Sequence, residues 1–218
     1  MDDIKFRKAT IEDIPFLVET IIEAEKAGTD ILPYNTIFGL TEDEAKKYIA
    51  KMLEEEIDGC ELSLSSFLLA EIDNNIIGAS SAWIEGSEGI SSQMIKGNLL
   101  KYTLPPRAIQ QALTLNEIIH DLYFDHKKNT IQFGVGYVAK EYRGRNLFGQ
   151  LKNKQIEMLK ENGKNITEAY VDIFGVNKSA IRANEKLGFK LVDVKETKRI
   201  EILNILPSSK KLLLRKNI

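Results

Sequence analysis

The sequence predicts an α/β (α+β) domain, and three observations carry that prediction. The apolar run Ile131–Val138 reads as a strand, turns through Arg143-Gly144-Arg145 and passes into a segment of helical period, Leu147–Leu159. A second strand-to-helix passage follows at 166–187 and ends in Leu187-Gly188-Phe189. Earlier, Phe67–Ile72 and Ile76–Trp83 flank the turn Asp73-Asn74-Asn75, the pattern of an antiparallel hairpin.

The remaining elements follow in chain order. Ile4–Ala9 alternates as a strand does. Thr10 then caps a helix, with Asp13 three residues on and apolar residues at Ile14, Leu17, Val18, Ile21 and Ile22. Residues 28–40 read as an irregular loop bearing Pro33, Tyr34 and Phe38. A second helix spans about 41–57, opened by Thr41 and Glu44. Residues 86–130 interrupt the pattern as an insert with one helix, from Pro106 to Leu122, where proline suits the first turn. After strand 131–138 come helix 147–162 with a stop at Asn162-Gly163, strand 166–174, helix 178–187 and a strand from Phe189. Two apolar segments, 200–206 and 212–214, finish the chain. No repeat or low-complexity linker divides it, so 1–218 reads as one domain.

Composition excludes several classes. Of 218 residues 43% are hydrophobic and 28% charged, enough apolar material for a core under an ordinary surface. The net charge of −2 gives no bulk attraction to nucleic acid or anionic membrane. No run reaches the length of a membrane span, and the N-terminus shows no apolar signal segment. The single cysteine, Cys60, forbids an internal disulfide and has no nearby histidine; it reads as a small packed side chain in a reducing cytoplasm. His120 and His126 are spaced six apart, off one helix face, and predict no metal site.

A strand that ends in a glycine- and arginine-bearing turn and opens a helix presents unpaired backbone N–H groups and the positive end of the helix dipole, which suits a phosphate. The turn here runs Arg143-Gly144-Arg145-Asn146-Leu147-Phe148-Gly149. Together with Asn177, Ala180 and Gly188-Phe189 downstream, it resembles the two core motifs of the GCN5-related N-acetyltransferases, the GNAT family. The likeness covers 131–190 best. Three signature positions differ: Asn146 and Phe148 stand where the family has small residues, with Gly149 one position late, and Asn184 stands where it has tyrosine.

The resemblance implies a mixed, mostly antiparallel sheet flanked by helices, with acetyl-CoA as co-substrate. It assigns the pyrophosphate to 143–149, the pantetheine arm to the backbone of Tyr137, Val138 and Ala139 and to Asn177, and close packing under the arm to Ala180. The tyrosine of the family often protonates the departing thiolate; an asparagine at 184 can orient or hydrogen-bond but releases no proton. Candidates for proton handling are therefore Glu71 and Glu85, at the ends of the hairpin strands, and Tyr170 on the strand after the phosphate helix. The expected activity is acetyl transfer from acetyl-CoA to a primary amine of a small molecule or peptide. The other reading is a non-catalytic acyl-CoA-binding protein on the same fold. Neither nucleic acid nor membrane is an expected partner, and a homodimer is allowed. The amine is unnamed by the sequence: the segments expected to shape its pocket, 28–40 and 86–130, hold no acidic cluster.

Overall fold

The computed structural model describes residues 4–162 and 165–218; the helix stop expected at Gly163 lies outside them. Seven strands form one sheet in the order β1-β2-β3-β4-β5-β7-β6, with β1 Lys5–Lys8, β2 Phe67–Ile72, β3 Asn75–Ile84, β4 Ile131–Val138, β5 Glu168–Phe174, β6 Lys190–Glu196 and β7 Lys210–Asn217. Every neighbouring pair is antiparallel except β4 with β5. The mixed sheet implied by the motif resemblance is thus present, and a wholly parallel nucleotide-binding sheet is excluded.

The hairpin turn forms as its residues dictate. Asp73 and Asn74 both take left-handed backbone angles, φ 50° and 63°, which aspartate and asparagine tolerate and which the twist of a two-residue hairpin needs. In β2, Phe67 and Leu69 pack to one face while Leu68 and Ala70 pack to the other. The strand is buried on both sides because helices cover both. On the first face lie α1 (Ile14–Lys26) and α3 (Glu42–Glu54); on the second lies α6 (Leu147–Asn162), with α7 (Lys178–Lys186) beside it. Buried Gln155 of α6 fixes that helix to the sheet, donating to the carbonyls of Ser66 and Ser80 at 3.1 and 2.8 Å.

Both capping boxes expected from sequence are formed. Thr10 and Asp13 make theirs on a 3-10 turn, Ile11–Asp13, that leads into α1. Arg7 locks it there, its guanidinium meeting Asp13 at 2.6 Å and Glu71 of β2 at 2.6 Å. The hydrogen bond from Arg7 holds the Asp13 carboxyl down at about 2. At α3, Thr41 Oγ1 accepts from the Glu44 amide at 3.2 Å while the Glu44 carboxylate accepts from the Thr41 amide at 2.9 Å. Thr41→Ala should therefore cost about 1 kcal/mol, read as a lower urea midpoint at unchanged slope.

Three segments depart from the sequence reading. The expected loop 28–40 contains a short helix, α2 (Pro33–Phe38), opened by Pro33 and closed by left-handed Gly39. The insert carries two helices, not one: α4 (Ser92–Thr103), capped by Ser91, precedes α5 (Pro106–His120). The apolar run near 200 is a 3-10 turn, Ile200–Asn204, that buries Ile202 against Ile119 and Leu122 beneath α5. Among the described residues no helix is long and apolar enough to cross a membrane.

Candidate active site

The site begins where two parallel strands part. β4 and β5 pair only at Ile131, Gln132 and Phe133, opposite Ala169, Tyr170 and Val171. Beyond Phe133, β4 pairs with β3 alone and β5 with β7 alone, so a wedge opens between them. An extra residue on β4 sets the divergence. Between Ser80 and Ala82 of β3 the register slips, so that three steps on β4, Gly136 to Phe133, face two on β3. Two glycines permit the bend. A side chain at 134 would stand 2.6 Å from Ser81 Oγ and 3.1 Å from Glu61 Cβ; one at 136 would stand 2.6 Å from the Phe148 ring. Burial records the same event: Ile131, Gln132 and Phe133 are fully buried, whereas residues 134–138 are half-buried. A strand edge with unpaired N–H and C=O groups, held open, can receive an extended ligand as a further strand would be received.

The end of β4 leads directly to a helix N-terminus. Tyr137 and Val138 pair with Ala79 and Gly78 of β3, and the Ala139 amide donates to Ile77 O at 2.9 Å, so their other side faces the wedge. The chain then turns through Gly144 (φ 82°) and Asn146 (φ 57°), both left-handed, into α6 at Leu147. Asparagine thus supplies the backbone conformation that the family obtains from glycine. Arg143 donates from Nε to Val138 O at 2.9 Å and lies over the Tyr137 ring; Arg145 lies over Tyr142. Both guanidiniums stay at the exposed turn beside the helix end. Leu147 is buried in the core against Ile77. Gly149 serves packing: a side chain there would come within 2.9 Å of Leu187, where α6 and α7 cross. The Phe148 ring fills the space left by Gly136.

The wedge opens into a cavity of about 490 Å³, walled by α1, α2 and the insert helices on one side and by α6 and α7 on the other. Asn177 and Ala180 reach it from the start of α7, where Asn177 Oδ1 caps the helix by accepting the Ala180 amide at 3.1 Å. Asn184, one turn further, is buried, and its Nδ2 donates to Ala180 O at 2.8 Å. The sequence reading missed its partner. Lys152 of α6 is 1% exposed and donates from Nζ to Asn184 Oδ1 at 2.7 Å, in a nest of aromatic rings: Phe133 at 4.1 Å, Phe148 and Phe189 at 5.1 Å. Burial, aided by nearby Lys216, pushes this ammonium well below the usual lysine range. One signal could have found it. Lys152 interrupts the stripe Phe148, Ile156, Leu159 of an otherwise apolar helix face.

The other proton-handling candidates lie elsewhere and do not line the cavity. Glu71 is held by Arg7. Tyr170 donates to Glu168 at 3.3 Å, a carboxylate shared with Lys127 and Arg215. Glu85, 1% exposed, accepts from the Ser92 amide (2.9 Å), Ser92 Oγ (2.5 Å) and Trp83 Nε1 (3.2 Å), with His126 Nδ1 at 3.4 Å. Burial alone would raise its carboxyl; these donors outweigh burial and hold it at about 2. Glu85 thereby clasps the insert to the end of β3. Cys60 is buried beside Ser63, and burial pushes its thiol up, away from nucleophilic use. Among the described residues no three His, Cys, Asp or Glu side chains gather as a metal site.

Compared by sequence, the chain matches no family model and none of the curated proteins. Its structure is similar to solved acetyltransferases along nearly its whole length. An N-acetyltransferase from Staphylococcus aureus Mu50 superposes with a TM-score of 0.65 at 16% identity, covering 97% of this chain and 100% of that one. The Drosophila melanogaster polyamine N-acetyltransferase gives 0.59 at 15%, over 99% and 100%. A ribosomal-protein-alanine N-acetyltransferase from Brucella melitensis gives 0.55 at 16%, over 98% and 99%. With the parted parallel strands, the bulged β4 and the helix that follows it, these likenesses establish that the chain has the fold of the GNAT N-acetyltransferases.

Proposed function

We propose that this protein is an N-acetyltransferase that passes the acetyl group of acetyl-CoA to a primary amine. The observation that carries the reading is the buried Lys152–Asn184 pair at the inner end of the wedge. Burying a lysine nitrogen among aromatic rings is costly, and groups so perturbed in a cavity cluster at functional sites. The solved acetyltransferases whose fold it shares support acetyl transfer as the reaction class.

The residues present fit the co-substrate. Unpaired backbone at 137–139 would hold the pantetheine arm, the N–H groups opening α6 with Arg143 and Arg145 would hold the pyrophosphate, and Asn177 and Ala180 would close over the arm. The absence of side chains at Gly134 and Gly136 lets Ser81, Glu61 and the Phe148 ring pack directly against β4 beside the wedge. Acetyl-CoA supplies an activated acyl group. The protein supplies proximity and proton management. Lys152, whose ammonium burial holds well below the usual lysine range, can take up at Nζ the proton that an attacking amine must lose, and give one to a departing thiolate. Asn184 orients that nitrogen through Oδ1. Lys152 would thus fill the role left vacant by the missing tyrosine. One buried thiol and an acidic balance suit a reducing aqueous compartment, the cytoplasm.

Melting curves with CoA and acetyl-CoA test the reading. Millimolar ligand should raise the melting temperature, and Arg143→Ala with Arg145→Ala should weaken binding by about 1–3 kcal/mol for CoA, but less for pantetheine, which lacks the phosphates. No shift with either CoA form would refute the proposal. CoA binding without thiol release across a broad amine panel would favour a non-catalytic acyl-CoA-binding protein.

A further inference from the structure

The cavity carries a second feature beside the wedge, built from five charged side chains that are far apart in sequence. Glu25 of α1, Glu61, Asp172 of β5, Lys96 of α4 and Lys211 of β7 all line it. Lys96 pairs with Glu61 and Lys211 pairs with Asp172, each in direct contact. Those four charges cancel. Glu25 is left over: among the described residues it makes no ion pair and no side-chain hydrogen bond. Of these five, Glu25 is the one without an ion-pair partner; Glu61 and Asp172 reinforce its field and Lys96 and Lys211 oppose it. Burial, the largest cause, pushes the Glu25 carboxyl up despite the opposing fields of Lys96 and Lys211, as expected of a carboxylate with no cation in direct contact.

An independent observation points the same way. Tyr34 of α2 is 4% exposed and lines the same cavity, yet among the described residues its hydroxyl has no hydrogen-bond partner. A buried phenol hydroxyl left without a partner is destabilising and unusual unless a ligand completes it. Ile37, Leu100 and Ile109 supply apolar wall nearby. The cluster abuts the strand that would carry the thioester, since Glu61 Cβ stands 3.1 Å from where a side chain on Gly134 would begin.

We propose that this end of the cavity is a binding site for a small aliphatic ammonium. Glu25 supplies the unpaired negative charge, the Tyr34 oxygen accepts one N–H, and the apolar wall takes the carbon chain. That the ammonium belongs to the acetyl acceptor rests on the acetyl-transfer reading above; the cation site itself does not. An amine carrying its own carboxylate is disfavoured there, because both lysines are already engaged.

Isothermal titration of the full chain, with and without saturating CoA, tests this using 1,4-diaminobutane, butylamine and 5-aminopentanoate as probes. The diamine and butylamine should bind, and 5-aminopentanoate at least about tenfold more weakly. Glu25→Gln should weaken diamine binding by about tenfold or more, and Tyr34→Phe by severalfold. Removal of a half-buried charge with no ion pair should leave the melting temperature of Glu25→Gln equal or higher. Diamine binding unaffected by Glu25→Gln overturns the site. So does 5-aminopentanoate binding as tightly as the diamine, which would make Lys96 and Lys211 the receiving groups. A destabilised Glu25→Gln variant would show that native contacts already satisfy this carboxylate, and likewise counts against it. Diamine binding that depends on Glu25 in a protein that fails to bind CoA would leave the cation site standing and sink the acetyl-transfer reading; CoA binding without diamine binding would do the reverse.

Discussion

Lys152→Met should lower the single-turnover rate of acetyl transfer by about 10²–10⁴-fold, the usual worth of a positioned acid–base group, while making the protein more stable. The two changes run in opposite directions because the site and the fold want different things at this position. Methionine fills the space between Phe133, Phe148 and Phe189 without a charge to desolvate, and replacing buried ionic groups by apolar ones of similar size is often stabilising by about 1–4 kcal/mol. The pH dependence supplies a check. In the folded state the Lys152 ammonium is held well below the usual lysine range; in the unfolded chain it titrates near about 10.4. Between those values the unfolded state binds a proton that the folded state does not, so stability rises with pH across that window. Lys152→Met should remove that slope and gain most at neutral pH. Unfolding midpoints at pH 7 and 10, beside acyl-transfer rates at saturating acetyl-CoA, measure both arms. An unchanged rate in a well-folded variant would remove Lys152 from the mechanism.

Glu85→Ala should cost about 3–5 kcal/mol of stability, near the upper end for a point substitution. The Ser92 amide and the Trp83 indole N–H would each lose a buried acceptor, and an unsatisfied buried donor costs about 1–3 kcal/mol. The loss would loosen α4 and α5, because Glu85 joins the end of β3 to the first residue of α4 and to His126 beyond α5. With a folded carboxyl at about 2 and an ordinary value near about 4.3 when unfolded, its stabilisation is complete above the unfolded value and is lost as pH falls from there through about 2. Acid unfolding of the Glu85→Gln variant should therefore be shallower over that range. The same variant separates clasp from base. Glu85→Gln that folds normally yet loses acetyl transfer would make Glu85 a proton acceptor in the reaction, against the geometry found here.

Local signals written in neighbouring residues were legible in sequence. The boxes Thr10–Asp13 and Thr41–Glu44, the left-handed Asp73-Asn74 turn, the strand 131–138 and the helix begun at Leu147 each depend on contacts within a few residues, where spacing and side-chain type suffice. The order of elements and the paired motifs at 143–149 and 177–189 were enough to indicate the sheet and the side from which a CoA-like ligand would enter. The short helix at Pro33–Phe38 and the helix at Ser92–Thr103 were not legible, because aromatic and glycine-bearing segments of low intrinsic helicity are held by tertiary packing.

The pairing of Lys152 with Asn184 was decided by the tertiary structure. Lys152 and Asn184 are adjacent only because α6 and α7 cross at Gly149, and the lysine is unusual only because three rings from separate elements exclude water around it. Glu85, at the end of a strand, was a plausible base by position; its surroundings make it a clasp, since four donors gather on it from β3, α4 and the chain after α5. The surplus charge at Glu25 exists only as a difference. It can be counted once Lys96 has been matched to Glu61 and Lys211 to Asp172 across the cavity, partnerships that no local spacing encodes. Sequence alone determined the strand, the turn and the helix N-terminus proposed to hold a phosphate and an acyl carrier, since these are local constructions. Which side chains face that carrier, and in what state of charge, depended on burial and long-range pairing, which exist only once the chain has folded.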